Sequence, residues 1–203
     1  MQILDGHQKS QEILADLKIE IEKNKLNPIL DIILIGDDSS SQKYTDMKQS
    51  TGKSIGIGGN IHHLPTNATQ EEIINLINKL NQDPSVTAIM VQLPLPKNLD
   101  TEKILNSINP AKDADGLTAV NLGRLFQKDQ NVLVSATPLG ILKLLESYKV
   151  DLSGKNAVII NRSPFIGLSL AALFINHDAT VTICHSKTKN IKDLCSNADI
   201  IVS

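Results

Sequence analysis

The amino-acid sequence predicts an α/β protein whose sheets are largely parallel. Short apolar runs alternate with helical patterns along most of the 203 residues, an order typical of strands joined by crossover helices. The run over residues 29–35 is apolar almost throughout, as expected for a strand covered on both faces. From residue 156 onward the order becomes β-α-β-α-β, which is typical of half of a doubly wound, Rossmann-like sheet that binds a mononucleotide.

Composition and charge narrow the class of protein. The chain is 41% hydrophobic and 21% charged, and its formal net charge of -2 gives no electrostatic case for nucleic acid as a partner. No run is long enough to cross a bilayer, and the N-terminus lacks the basic and apolar regions of a signal peptide. Two cysteines make no disulfide framework, and the histidines show no zinc spacing. We therefore expect a cytoplasmic protein with no membrane association and no metal.

The first half is expected to hold three longer helices and three strands, followed by a short helix from Asp100. A capping box at Thr69 and Glu72 opens the third of these helices. The predicted elements are, in order, a helix over 5–24, a strand over 29–35, a helix ending near 56, a strand over 59–64, a helix opened by Thr69, and a strand over 86–91.

The second helix carries a phenol and an amine that are candidates for acid/base chemistry. Tyr44 and Lys48 are four residues apart, so they share one helix face. The Asp and Ser residues that precede the helix can accept the free N–H groups of its first turn. A solvated lysine on a surface helix is the alternative, and this segment alone favours it, because most lysines are exposed.

Two further segments of the first half carry polar groups at loops. Gln92 ends a predicted strand, where open α/β sheets hold ligands, and Leu93-Pro94-Leu95-Pro96 continues as a rigid loop. Asp113 and Asp115, beside Gly116, could bind a divalent cation, form a turn, or accept N–H groups of a ligand. The cation is disfavoured, since no third ligand is nearby in sequence.

The second half is expected to begin with a helix from Thr137 at the N-cap and Pro138 at the first helical position, running to about residue 149. Strands over 156–160, 179–184 and 199–202 follow, with a helix over 168–176 and a short helix before the last strand.

The first βα turn of such a unit holds a phosphate on helix N–H groups. Of the usual G-x-G-x-x-G pattern only Gly167 is present; Asn161 and Ser163 stand where the other glycines would be. Asparagine tolerates a positive φ better than other non-glycine residues. Taken alone, a plain tight turn is about as probable as a nucleotide site.

The end of the second strand of this half favours NADP over NAD. An NAD site normally places an acidic residue there, whereas this chain has His185, Ser186, Lys187 and Thr188. Hydroxyls and a cation suit a 2′-phosphate. Arg162, on the first turn, could grip a phosphate with its planar fork, or it could be an exposed cation beside a loop.

Taken together and in this order, these segments resemble the bifunctional methylenetetrahydrofolate dehydrogenase/methenyltetrahydrofolate cyclohydrolase family. The resemblance runs along the whole chain, and the Gln-Leu-Pro-Leu-Pro and Lys-Asp-x-Asp-Gly segments are highly specific as a pair. The matching residues are Gly36-Asp37-Asp38, Ser41, Tyr44, Lys48, Val91 to Pro96, Pro110, Lys112 to Gly116, Asn121 to Leu125, Thr137-Pro138, Gly140, Arg162-Ser163, Gly167 and Cys184 to Thr188.

The resemblance implies a folate-binding catalytic domain over residues 1–118, an NADP-binding Rossmann-like domain over 119–203, and a cleft between them. It implies oxidation of 5,10-methylenetetrahydrofolate with NADP+ and hydrolysis of the methenyl product to 10-formyltetrahydrofolate. Family members are generally homodimers. The implied catalytic residues are Lys48, whose pKa must fall for this role, Tyr44, Gln92 and Asp115. The implied substrate-binding residues are Ser41, Tyr44, Gln92, Leu93, Pro94 and Asp115. The implied cofactor-binding residues are Thr137, Asn161, Arg162, Ser163, Gly167, His185 and Ser186.

The sequence departs from the family pattern at Asn161, at Pro164, and at Ser135-Ala136, where Pro-Cys is common. Its last residue, Ser203, falls inside what should be a middle strand, so we expect a fragment of a longer protein or an incomplete product. Two other functions stay open: a non-catalytic folate- or nucleotide-binding remnant, and a dehydrogenase-only relative.

Overall fold

The computed structural model describes residues 2–203, and the chain divides into two compact units. One unit is Ser10–Ala114, and the other is Asp115–Ser203 together with the N-terminal residues as far as Lys9. The predicted domain boundary after residue 118 stays a prediction. Within residues 2–203, none of the helices combines the length and the apolar character that a bilayer crossing requires.

Helices and strands alternate through most of the chain. The α-helices are α1 (Gly6–Lys23), α2 (Ser39–Ser54), α3 (Gln70–Gln82), α4 (Thr101–Leu105), α5 (Ala119–Phe126), α6 (Ala136–Ser147), α7 (Ser169–Asn176) and α8 (Ile191–Ser196). The strands are β1 (Leu30–Ile35), β2 (Ile61–Leu64), β3 (Ala88–Val91), β4 (Asn156–Ile159), β5 (Thr180–Ile183) and β6 (Ile200–Val202). A π-helix, Pro164–Leu168, leads directly into α7.

The unit Ser10–Ala114 is built on a parallel three-stranded sheet in the order β2-β1-β3. The central strand β1 is buried from Asp31 to Ile35, because it has a neighbouring strand on each side and an apolar sequence. An isolated parallel bridge between Ile89 and Asp113 adds the chain after α4 to the free edge of β3. Since all the strands run the same way, their carboxyl ends lie at one edge of the sheet.

The second unit holds another parallel sheet, in the order β5-β4-β6. Its core is formed by α7, which is buried from Ser169 to Phe174 and packs with Ile159 of β4. The chain passes from β4 to β5 on one side of β4 and then returns to place β6 on the other side. This order makes β4 a topological switch point, where open α/β sheets bind ligands beyond the strand ends. The predicted α/β class with a Rossmann-like second half is confirmed.

Two helix starts follow the predicted capping rules. The Asp38 carboxylate accepts the Ser41 N–H at 2.7 Å and thereby caps α2; this hydrogen bond lowers the pKa of the Asp38 carboxyl below its ordinary value. At α3, Glu72 accepts the Thr69 N–H at 2.7 Å while the Thr69 hydroxyl accepts the Glu72 N–H at 3.2 Å. The capping box is therefore confirmed.

The predicted start of α6 is wrong. The helix begins at Ala136 with Ser135 at the N-cap, so Thr137 and Pro138 lie inside the first turn. Proline is tolerated there because the N–H groups of the first turn have no partner within the helix. The α-helix α5, which is capped by the Thr118 hydroxyl, was not predicted; it is short and has a glycine, Gly123, near its middle.

Replacing Gly167 by alanine should destabilise the second unit. An added Cβ would lie 2.1 Å from the backbone oxygen of Asn161, so the turn after β4 would have to move away from the π-helix. We expect the free energy of unfolding to fall by about 1–3 kcal/mol, as for overpacked sites. Chemical denaturation monitored by circular dichroism measures this change.

Gly140→Ala is the matched control, because an added Cβ in this part of α6 meets no atom within 4 Å. This variant should be unchanged or more stable by up to about 1 kcal/mol, since alanine is the better helix former. Equal stability of the Gly167→Ala protein and the native protein would contradict the packing role of Gly167.

Candidate active site

The amine of Lys48 lies among three uncharged groups at one end of the first sheet. Its Nζ is 3.3 Å from Oε1 of Gln92 and 3.2 Å from Sδ of Met90. It also lies 4.8 Å from the centroid of the Tyr44 ring. The Lys48 side chain is half-buried. The surface-lysine alternative therefore does not describe this residue, because its amine is held by specific neighbours.

The start of α2 determines where this amine lies. Asp38 caps the helix three residues after β1 ends at Ile35. Ser41 and Thr45 are buried on the face that packs on the sheet, and the Thr45 hydroxyl donates to the Ser41 carbonyl at 2.7 Å. Lys48 follows Thr45 by less than one turn, and Tyr44 is 52% exposed beside it. The predicted Tyr44–Lys48 face thus exists, with the ring open to solvent.

Gln92 is held at both its backbone and its side chain. Its N–H donates to the Ile33 carbonyl at 2.9 Å, which continues the β1–β3 pairing past the end of β3. Its side-chain Nε2 donates to the Leu93 carbonyl at 2.6 Å. With the NH2 group bound there, the amide oxygen is the group that faces Lys48. An ammonium has only donors and an amide oxygen only accepts, so the two groups are matched.

Sequence reasoning missed Met90 as a neighbour of the amine. Met90 and Gln92 are two residues apart along an extended chain, so their side chains point to the same face of the sheet. That periodicity, applied to the strand before Gln92, was the signal that could have found it. Met90 is 4% exposed, so its thioether brings an apolar wall to one side of the amine.

The segment that contains the two aspartates is anchored on the edge of β3. The Ile89 N–H donates to the Lys112 carbonyl at 2.7 Å, and the Ala114 N–H donates to the Ile89 carbonyl at 3.1 Å. The Lys112 ammonium donates to the carbonyls of Leu80 and Asp83, at 3.0 and 2.6 Å, near the end of α3.

The two aspartates differ in burial. Asp113 is buried in the first unit, and Asp115 is half-buried where the chain passes into the second. Within residues 2–203 no group of three His, Cys, Asp or Glu side chains is placed to hold a metal ion. The acceptor role predicted for Asp115 stays a prediction.

The first βα turn of the second unit is closed by its own side chains. Oδ1 of Asn161 accepts the Ser163 N–H at 2.8 Å, and Oγ of Ser163 accepts the Ile166 N–H at 3.1 Å. Asn161 is not among the residues of the described chain that have a positive φ, so it does not use the conformation that glycine provides in the usual pattern. Gly167 fills the third glycine's packing role, because a Cβ there would collide with Asn161.

The turn after β5 presents polar groups next to this site. The His185 N–H donates to the Thr188 hydroxyl at 2.8 Å, and the Lys187 N–H donates to Nδ1 of His185 at 3.1 Å. Ser186, Lys187 and the Arg162 side chain are exposed. The turn has hydroxyls and a cation and no acidic residue. This donor set, together with the close packing at Gly167, fits a dinucleotide with a 2′-phosphate. Thr137 is exposed in the first turn of α6.

Two family models match the chain. The model for the catalytic domain of tetrahydrofolate dehydrogenase/cyclohydrolase matches residues 4–115. The model for the NAD(P)-binding domain of the same enzymes matches residues 135–203.

Individual relatives match along nearly the whole chain. The bifunctional protein FolD 2 of Lactobacillus johnsonii is 45% identical over 204 residues, which cover 99% of this chain and 72% of that protein. The bifunctional protein FolD of Campylobacter concisus is 44% identical, over 100% of this chain and 72% of the relative.

Solved structures agree with these matches. The FolD methylenetetrahydrofolate dehydrogenase/cyclohydrolase of Campylobacter jejuni has a TM-score of 0.96 and 40% identity, covering 100% of this chain and 73% of that one. The Trypanosoma brucei enzyme, solved with NADP cofactor and an inhibitor, has a TM-score of 0.93 and 34% identity, covering 100% and 71%. The family inferred from the motifs is therefore confirmed, and the chain belongs to the tetrahydrofolate dehydrogenase/cyclohydrolase family.

Proposed function

We propose that this protein oxidises 5,10-methylenetetrahydrofolate to the methenyl cation with NADP+ and hydrolyses that cation to 10-formyltetrahydrofolate. The observation that carries the proposal is the Lys48 amine, held 3.3 Å from the Gln92 amide oxygen in a chain that belongs to this family. Both residues stand at the positions where the family has its catalytic lysine and the amide that orients it.

In the hydrolytic step Lys48 acts first as the general base and then as the general acid. Water adds to the methenyl carbon, and the neutral amine of Lys48 accepts a proton from the oxygen. The bond from this carbon to N5 then breaks, and the ammonium returns a proton to N5 as the formyl C=O forms. One proton is released to solvent for each cation hydrolysed. The amide oxygen of Gln92 holds the amine in reach of both atoms.

The residues that the family resemblance implies for substrate binding hold and orient the folate. Tyr44, with its ring half exposed beside Lys48, offers a flat face to the pterin and a hydroxyl to the reacting region. Leu93 and Pro94 form a rigid wall next to Gln92. Asp115 accepts the N–H donors of the pterin through charge-assisted hydrogen bonds. Ser41 supports the start of α2 through its contacts with Asp38.

NADP+, when bound, supplies the hydride acceptor. We assign its binding to the turns that follow β4 and β5. Arg162 and Ser186 bind the 2′-phosphate, His185 lies beside the ribose, and Ser163 and Gly167 form the turn that approaches the diphosphate. Thr137 of α6 completes the set, and Asn161 belongs to the turn that approaches the diphosphate. The absence of an acidic residue from the turn 185–188 supports NADP over NAD, because a carboxylate there would repel the additional phosphate.

We further propose that the protein works in the cytoplasm as a homodimer. The family resemblance supports the dimer, and the two unpaired cysteines, Cys184 and Cys195, suit a reducing compartment.

Replacing Lys48 by methionine tests the hydrolytic mechanism. Methionine keeps most of the side-chain volume and removes the amine, so hydrolysis of methenyltetrahydrofolate should fall at least about 100-fold. The loss of methenyl absorbance measures this rate directly, without NADP+.

Lys43→Met is the control, because Lys43 is exposed on the same helix and its loss should leave the rate unchanged. Undiminished hydrolysis by the Lys48→Met protein would rule out the proposed mechanism. Methenyl accumulation by the native protein would instead indicate a dehydrogenase-only enzyme, and folate binding without any turnover would indicate a binding protein.

Replacing Arg162 by glutamine tests the assignment of the 2′-phosphate. The variant loses a charge-assisted contact, so kcat/KM for NADP+ should fall about tenfold while kcat/KM for NAD+ stays the same. Formation of the reduced nicotinamide measures both values. Lys155→Gln, at an exposed position before β4, is the charge-matched control. An equal loss with both nucleotides would contradict a contact with the 2′-phosphate.

A further inference from the structure

We propose that the Asn161 side chain competes with the diphosphate of NADP+ for the backbone N–H of Ser163. This competition lowers the affinity of the protein for NADP+. The inference rests on the proposed NADP-dependent function. It assigns to Asn161 a role opposed to ligand binding, whereas the sequence alone predicted a residue that binds the cofactor.

The competing contact is short and local. Oδ1 of Asn161 accepts the Ser163 N–H at 2.8 Å. An asparagine often accepts the N–H two residues ahead, because its side chain then closes a ring the size of a backbone turn. The turn therefore satisfies this donor without a ligand. A phosphate oxygen can reach the same N–H only after the amide has moved away.

Few other donors remain at the start of the turn. Pro164 has no N–H to offer. The Ile166 N–H is taken by the Ser163 hydroxyl at 3.1 Å. Three of the four backbone positions from 163 to 166 thus cannot donate to an external phosphate as they stand. The partner of the Ser163 N–H is the Asn161 side chain, so a phosphate can reach this donor once that side chain rotates.

The close approach of Asn161 to Gly167 restrains the backbone of the turn. The Asn161 carbonyl is packed so closely against Gly167 that a Cβ at that glycine would be 2.1 Å away. This contact fixes the backbone at the carboxyl end of β4, the switch point of the sheet. Release of the donor therefore depends on rotation of the Asn161 side chain. A charged phosphate accepts more strongly than a neutral amide, so the nucleotide displaces the amide, with reduced affinity.

Three proteins test this inference: the native chain, Asn161→Ala and Asn161→Asp. Alanine removes the acceptor and suits the backbone, because φ at this position is not positive. NADPH fluorescence titration should show affinity about two- to tenfold tighter for Asn161→Ala, the range expected for one neutral hydrogen bond. Asn161→Asp keeps an acceptor and adds a negative charge beside the diphosphate, so its affinity should be weaker than that of the native chain.

A nucleotide without a diphosphate separates competition from a general change in the fold. The probe 2′-AMP reaches only the adenosine subsite, so its affinity, measured by calorimetry, should be the same in the native and Asn161→Ala proteins. The rise in Tm caused by saturating NADPH should be larger for Asn161→Ala, because the ligand-free turn has lost its internal hydrogen bond.

Two results would overturn the inference. Equal or weaker NADPH binding by Asn161→Ala would show that the side chain organises the turn and does not compete. An equal gain for 2′-AMP and NADPH would show an effect that is not specific to the diphosphate. Failure of the proposed function would give a different result. The native and Asn161→Ala proteins would then both fail to bind NADPH and to reduce NADP+ in the presence of methylenetetrahydrofolate.

Discussion

The contact between the Lys48 ammonium and the Gln92 amide requires both the central strand β1 and the helix α2 to be in place. Gln92 is placed by its pairing with Ile33 of the central strand, and Lys48 is placed by the capped start of α2. The amide, the Met90 thioether and the Tyr44 ring all attract an ammonium, but each does so less strongly than a carboxylate. These neighbours hold the amine in one place.

The elements of this site could be predicted because they obey local rules. Tyr44 and Lys48 share a face through helical spacing, the Asp38 cap follows from residue type, and the position of Gln92 follows from the end of an apolar run. That Lys48 and Gln92 meet does not follow from these rules. It requires β3 to pair with β1, a pairing between segments far apart in sequence. The family resemblance supplied that information, and the residues alone did not.

Several features of the second unit could not be predicted from local sequence rules. The β-α-β-α-β order was predicted, but the sheet order β5-β4-β6 could not be, because either side of β4 would accept the third strand. Thr137-Pro138 fits the common start of a helix, yet α6 begins at Ala136, with Ser135 at the N-cap and no side-chain hydrogen bond to cap it. The sequence predicts Asn161 as a substitute for glycine through its backbone, but its φ is not positive. Its effect lies instead in its side chain, whose partner is two residues away.

The three glycine positions of the G-x-G-x-x-G pattern have different roles. These roles explain why this chain keeps a glycine only at the third position. Gly167 is needed by the fold itself, because a Cβ there would collide with the Asn161 carbonyl. Asn161 and Ser163 instead use their side chains for hydrogen bonds within the turn. We therefore expect substitution at the last position to lower stability and substitution at the first two to change the affinity for NADP+. A chain can depart from the pattern at Asn161 and Pro164 and still form the complete turn, with fewer donors left for a phosphate.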